Sequence, residues 1–413
     1  MKSTIHLFCG ILLNAFLLDA RASQLLDDGF LSKIRSEAAR HHPSVDAAKH
    51  RLAAAAQDVR AVRLWDDPMV GLGVMAANKS MRSDFGDIII GIDQPLPKPG
   101  MFDAQRGKAE SMSRAEVENS RGSALAAGAE AARTAIELAL ADESVALQQT
   151  KITWLGEMTE NARQMAAGPM GSSIDALRME TELAKEQQML DAARRTREGL
   201  ARKLNLTLGR SLDSPWPELK LPAAPLPMPV AQAEIARIPH ANPKVRAMRE
   251  MVGAANADTR IADRDRLPQF SLGVDTNIYS GGDVRSATLN VKMSLPWFNE
   301  NSYQAKIAGT RDRELAAGRD VEAMRREVVT GVLAACTDAA NAAAQARAYA
   351  GEVHDKALQT SKTIEAAWIS SKAPLTDLLD ASRMLFSIRL EQRRFIAMQR
   401  AALEDLRTLV PNN

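Results

Sequence analysis

Residues 42–74 recur 200 positions later as residues 242–274. Pro43, Val45, Ala47, Ala54, Ala55, Asp58, Arg60, Pro68, Leu72, Gly73 and Val74 find their partners in Pro243, Val245, Ala247, Ala254, Ala255, Asp258, Arg260, Pro268, Leu272, Gly273 and Val274. The echo resumes one residue out of step, with Leu96-Pro97 against Leu295-Pro296. Each copy reads as a helix, two short strands and a very long helix with its return. Solenoid units run at roughly 20–50 residues, so this is a duplicated half-protein. The copies span 23–210 and 239–413, joined by a Pro-rich connector at 211–238.

The long helices set the scale. Residues 101–166 contain no proline and are rich in alanine, glutamate and arginine. At ~1.5 Å per residue such a helix runs on the order of 100 Å. Gly168-Pro169-Met170-Gly171 ends it, a tip falls near 168–173, and a return helix follows to about residue 208. The second copy repeats the plan with a proline-free run over 301–370, a break at Ser371-Lys372-Ala373-Pro374 (tip near 371–375) and a return over 375–409. Leu378, Leu385, Gln392, Gln399 and Leu406 stand seven apart, as do Ala381, Ile388, Phe395, Ala402 and Leu409. That is an a/d seam with polar interruptions. Leu183, Leu190 and Leu204 keep the same spacing in the first copy, where Arg197 breaks it. Small residues dominate these helices, so many neighbours are needed to bury enough surface. A multi-helix tube satisfies that need; an isolated coiled-coil rod is the competing form.

Four segments carry strand character: about 69–76 and 87–96, then 270–279 and 286–295. The second pair alternates. Phe270, Leu272, Val274, Thr276 and Ile278 share one face, against Ser271, Gly273, Asp275 and Asn277. Ala287, Leu289, Val291, Met293 and Leu295 likewise oppose Thr288, Asn290, Lys292 and Ser294. Period-two alternation over ~9–11 residues suits a wall between lipid and a watery lumen. Ser280-Gly281-Gly282-Asp283 makes a hairpin tip, and 78–84 does so for the first pair. Trp65, Phe85, Phe102, Phe270, Tyr279, Trp297, Phe298 and Tyr303 cluster at these segments, as an interfacial aromatic girdle would. Four strands do not close a membrane barrel, and open edges in lipid leave backbone groups unsatisfied. Several chains must therefore pool their strands; three copies give twelve, an even number within the observed range.

The address agrees. Lys2, an apolar stretch from Ile5 to Leu18 and Ala20-Arg21-Ala22 form a signal peptide over 1–22. Cys336 is then the lone mature cysteine, which excludes an intrachain disulfide or a zinc cluster. Net charge is +2, so nothing argues for nucleic acid. No Ser/His/Asp grouping, phosphate loop or metal-ligand spacing is present, so neither an enzyme nor a cofactor is expected. His41-His42 before Pro43 marks a helix start rather than a ligand pair, and the scattered methionines suit helix packing.

The order of these features resembles the TolC-like outer membrane efflux proteins. The resemblance is carried by His42-Pro43-Ser44-Val45 opening a helix, Pro68-Met69-Val70-Gly71-Leu72-Gly73-Val74 entering a strand and Gln94-Pro95-Leu96-Pro97-Lys98-Pro99-Gly100 leaving one. Ser294-Leu295-Pro296-Trp297-Phe298-Asn299-Glu300-Asn301 with Lys306-Ile307-Ala308 is similar to the cation-efflux (CzcC-like) branch, and Leu200-Ala201-Arg202-Lys203-Leu204-Asn205 also resembles the family. The resemblance implies a mainly α chain with a small β part. It implies a homotrimer whose twelve-stranded outer-membrane β-barrel continues into a periplasmic α-helical barrel. It also implies a periplasmic adaptor (membrane fusion protein) as partner and, through it, an inner-membrane pump of the RND type, with metal cations as expected cargo. A soluble periplasmic scaffold or adaptor is the alternative.

In that family the helical tips dock the adaptor and narrow the entrance. The tip residues here are Gly168, Gly171, Ser172, Asp175, Leu177, Ala373, Pro374, Asp377 and Leu379. Superposing the two breaks pairs Asp175 with Asp377 at an offset of 202. Repeated around an axis, these carboxylates would make a ring attractive to cations. Asp175 equally suits a Ser172-x-x-Asp175 helix cap.

Overall fold

The structure, a computed structural model, describes residues 23–75, 87–167, 173–227, 238–279 and 282–410. The signal segment, the first strand-hairpin tip, Ser280-Gly281 and the tip residues Gly168, Gly171 and Ser172 lie outside them. In chain order the elements are β1 (Gln24–Leu25), α1 (Asp28–His41), α2 (Pro43–Ala61), β2 (Met69–Met75), β3 (Asp87–Pro95), α3 (Met101–Ala166), α4 (Ser173–Thr207) and β4 (Leu219–Lys220). There follow α5 (Ile238–Ala241), α6 (Pro243–Asp265), β5 (Phe270–Tyr279), β6 (Val284–Met293), a 3₁₀ turn (Pro296–Asn299), α7 (Glu300–Ala350), α8 (Glu352–Ile369) and α9 (Leu375–Leu409).

The repeated His-Pro and Asn-Pro pairs start helices in the same way. His42 Nδ1 accepts from Ser44 N at 3.2 Å and opens α2. Asn242 Oδ1 accepts from Lys244 N at 2.9 Å and opens α6. Proline follows each cap at the first helical position, where its missing N–H costs nothing. The α3 helix then runs 66 residues without interruption. Its buried face is largely alanine, including Ala127, Ala131, Ala132, Ala135 and Ala139. Such small side chains bring α1, α4, α6 and α9 close to it.

The second long helix departs from the expected single run over 301–370. It breaks at Gly351, whose backbone lies at φ −99° and ψ −118°, and restarts as α8. Glycine is, after proline, the poorest helix former. Tyr349 packs edge-on against Phe395 of α9 at 5.1 Å, which anchors the turn just before the break.

β2, β3, β5 and β6 form one antiparallel sheet in that order, so β2 and β6 are its edges. The strands of the two copies meet at its centre, where β3 pairs with β5. β6 begins at Val284, two residues before the expected start, with an irregular register between Asn277 and Ile278.

The proline-rich connector is a fastened strap rather than a bare spacer. β4 pairs in parallel with β1. Trp216, Leu219 and Leu221 are buried in the largest core cluster, alongside Leu31, Ile34 and Leu138. Buried and half-buried side chains take up the strap's backbone groups. Asp142 accepts from Leu219 N at 2.9 Å. Arg197 reaches Asp142 at 2.7 Å and Trp216 O at 3.2 Å. Asn205 accepts from Trp216 Nε1 at 2.7 Å and donates to Leu212 O and Ser214 O. Gln399 accepts from Leu226 N at 2.9 Å and donates to Leu226 O at 2.7 Å.

Two polar breaks in the helical seams, Arg197 and Gln399, are therefore among the points where the strap is held. Replacing Gln399 with Leu leaves Leu226 N–H and C=O without partners. We expect protease cleavage between residues 211 and 227 to quicken by roughly 30-fold, from a local loss of about 2 kcal/mol. Unchanged cleavage would show that the strap is held without this pair.

Candidate functional site

Strand parity sorts the sheet into two chemically opposed faces. On one lie Val70, Leu72, Val74, Ile88, Ile90, Ile92, Leu272, Val274, Leu289 and Val291, aligned across the strands by the register. Leu72, Val74 and Leu289 are 78%, 81% and 72% exposed, so no described residue covers this face. Trp65, Phe270, Trp297 and Phe298 are exposed beside the helix-proximal end of the strands, in the position of one aromatic girdle.

The opposite face is polar and hollowed by glycine. Gly91 pairs with Asp275, and Gly273 with Asp93. Each carboxylate lies over the glycine across from it, so that a Cβ on either glycine would collide with the facing Asp carboxylate. The sheet thus carries a reciprocal pair of Gly-x-Asp segments, Gly91-Ile92-Asp93 and Gly273-Val274-Asp275. Lys292 Nζ on β6 reaches across β5 to Asp93 Oδ2 at 2.5 Å, and Asn290 Nδ2 donates to Asp275. This network was readable only as polar alternation. The repeated Gly-x-Asp was its one signal, masked because it does not follow the 200-residue echo.

At the far end of the helices, Leu155, Met158, Ala162, Met179, Trp368, Leu375 and Leu378 form a buried cluster that joins the two hairpins. Ala176, Ala373 and Leu379 pack against it. Polar links reinforce the join: Trp154 Nε1 donates to Glu365 at 3.0 Å, and Arg383 meets Glu182 at 3.0 Å. Lys151 meets Glu186 at 2.6 Å. Burial pushes the Glu186 carboxyl up, but Lys151 and Gln148 outweigh it and hold the group below its ordinary 4.5.

The tip residues separate into roles. Leu177 is 62% exposed and Asp377 is exposed, whereas Leu379 is half-buried against the cluster. Asp175 stands in the first turn of α4, half-buried and engaged in a polar interaction. Pro374 caps α9 in extended conformation, and Asp377 sits in that helix's first turn. Ser371 closes α8 at φ 59°. Its N–H bonds Trp368 O at 2.8 Å, and Lys372 N–H bonds Ala367 O at 2.7 Å, the paired bonds of a Schellman end.

A duplicated chain with a two-faced sheet at one end and paired long hairpins below it belongs to the outer-membrane channel class. The family described as Outer membrane efflux protein matches residues 34–210 and 236–411, and the chain is a member of it. It is therefore an outer-membrane channel protein, not an enzyme, with its helical part standing in the periplasm. The outer-membrane channel OprN shares the fold at 18% identity and a TM-score of 0.80, over 94% of this chain and 91% of that one. CusC, a transmembrane channel, does so at 15% identity and 0.80, over 94% and 93%. The open-state MtrE outer membrane channel of Neisseria gonorrhoeae does so at 17% and 0.75, over 92% and 88%. No curated protein sequence matches the chain.

Left-handed backbone costs an L residue roughly 1 kcal/mol that glycine avoids. Ser371→Gly is expected to stabilise the tip by about that amount, read as slower hydrogen exchange at the ends of α8 and α9. Ser371→Val is expected to speed it. Equal exchange in all three would remove the strain from Ser371.

Proposed function

We propose that three copies of this chain close a twelve-stranded barrel and work as the passive exit duct of a tripartite efflux system. The observation that carries this reading is the apolar sheet face that no described residue covers, bounded at each edge by a strand paired on one side only. Backbone donors and acceptors on such edges cost several kcal/mol each in lipid. Pairing β6 of one copy with β2 of the next satisfies both edges and sets the apolar faces towards lipid. The polar face, with Asp93, Asp275, Asn290 and Lys292, then lines the water-filled bore.

In this reading the helical hairpins extend the bore through the periplasm and their tips meet a periplasmic adaptor. Leu177 and Asp377, exposed at the tips, are the contact residues we assign, with Ala373 and Pro374 shaping the second turn. The adaptor links the duct to an inner-membrane pump of the RND type, which supplies the energy. Metal cations, or other toxic small molecules delivered by the pump, are the proposed cargo. This rests on the likeness of the Leu295-Pro296-Trp297-Phe298 stretch to the cation-efflux branch. Asp175 and Asp377 form the proposed cation-attracting ring at the entrance.

Leu289→Lys sets a charge on the apolar face at a cost of about 2–4 kcal/mol near mid-membrane. The variant is expected to fail to yield a detergent-extracted, heat-resistant oligomer, whereas Thr288→Lys on the polar face is expected to assemble. Equal assembly of both would sink the assignment of the faces. Neutralising Asp175 and Asp377 to Asn is expected to weaken block by divalent cations in planar bilayers; unchanged block would remove the ring.

A further inference from the structure

The helices next to the sheet lie side by side in the order α2, α3, α6, α7. α2 leads into β2 and β6 leads out to α7, so the outer helices adjoin the outer strands. The middle junction, α3 against α6, joins the long helix of the first repeat to the short helix of the second. Lys108 meets Asp258 there at 2.8 Å, and Arg114 meets Glu250 at 2.7 Å. Between these pairs the backbones come close: a Cβ on Gly253 would stand 3.0 Å from Ser111 Oγ.

The repeat carries these three contacts over to the two outer helices. α2 corresponds to α6 at an offset of 200. Packing sets the offset of the long helices. Glu116 and Ser123 of α3 line clefts beside Ala55 and Ala48 of α2. Glu314 of α7 likewise bonds Asn256 and Thr259 of α6, and Val321 shares a cluster with Met248. Glu116 to Glu314 and Ser123 to Val321 are both steps of 198. Lys108 and Asp258 then become Lys306 and Asp58. Ser111 and Gly253 become Gly309 and Ala53, and Arg114 and Glu250 become Asp312 and His50. Every derived pair is complementary: opposite charges, two small residues, and a carboxylate with an imidazole in exchanged places.

No chain makes these contacts within itself, because α3 and α6 stand between α2 and α7. Asp58 and Asp312 are exposed and, among the described residues, without an ion pair. His50 lies 3.7 Å from Asp46 and is 82% exposed. Lys306 holds Asp265 at 2.5 Å yet remains 54% exposed, and an ammonium has three donors. Leu315, on the same face of α7, is 69% exposed.

We propose that α7 of one copy packs antiparallel against α2 of the next, in the pattern of α3 against α6. Lys306 bonds Asp58 of the partner subunit, Asp312 bonds His50 of the partner subunit, and Gly309 lies against Ala53 of the partner subunit. This deepens the trimeric duct reading and rests on it, since pairing β6 with the next β2 brings the two helices together. Exposed ion pairs add little affinity. Their part here is to fix the register, while close approach at Gly309 covers Leu315.

The test is disulfide formation in detergent-extracted protein carrying Cys336→Ala, Ala53→Cys and Gly309→Cys. Mild oxidation is expected to give a covalent trimer on denaturing gels, which neither new cysteine alone can form. Native mass spectrometry of the reduced sample reports the oligomer independently. A trimer that yields no covalent trimer would overturn the proposal and leave the duct reading standing; a monomer would overturn both. Charge exchange checks the register without cysteines. Asp58→Lys is expected to shorten the half-life of the trimer in detergent by roughly threefold or more, the worth of an exposed pair lost at two subunit contacts. Adding Lys306→Asp to that variant is expected to restore it. An unchanged half-life in Asp58→Lys, or a double variant no longer-lived than the single, would also overturn the proposal.

Discussion

Backbone hydrogen bonding at the edges of a four-stranded sheet governs everything else in this molecule. Among the described residues β2 and β6 each have one neighbour, and nothing lies against the apolar face they frame. In water such a surface aggregates; in lipid its edges are too costly to leave open. Closure with other copies removes both problems together. In the proposed assembly the duplicated plan serves that closure, since two strand pairs joined at β3 and β5 give a wider wall segment than one pair alone.

Holding the wall in place requires the helices to keep a common register over a long span. Alanine-rich contacts along α3 bring neighbours close, yet each buries little surface, about 0.8 kcal/mol per methylene equivalent. The polar clamps supply the register that smooth packing lacks. Arg197 and Gln399, 202 positions apart like the two tips, each replace a seam residue and each bond the connector strap. The strap in turn carries Trp216, Leu219 and Leu221 into the core shared by α1, α3 and α4. Polar interruptions in a heptad seam are usually read as register devices within the seam. Here they serve a third segment.

Much of this was legible in the sequence, and the reasons differ by feature. The His42-Pro43 and Asn242-Pro243 starts, the break at Ser371-Lys372-Ala373-Pro374 and the alternation of β5 and β6 are local signals, decided within a few residues. The strap's burial was not legible, because proline density reports stiffness and says nothing about what Trp216 or Leu219 packs against. The Gly351 break escaped because a lone glycine in a long helical run is usually tolerated, as Gly107, Gly122 and Gly156 are in α3 and Gly309, Gly318 and Gly331 in α7. The Gly-x-Asp network depends on register between β3 and β5, a long-range property no window reveals. At the tips, the equal spacing of Leu177 and Leu379 suggested equal roles. The structure leaves one exposed and packs the other, because the hairpins meet asymmetrically through Trp368 and Met179.

The claim at the centre is that one polypeptide is a fraction of a closed wall. Native mass spectrometry of the detergent-extracted protein tests it most directly. The account predicts a single species at three times the mass of one mature chain; a stable, folded monomer as the dominant species would contradict it.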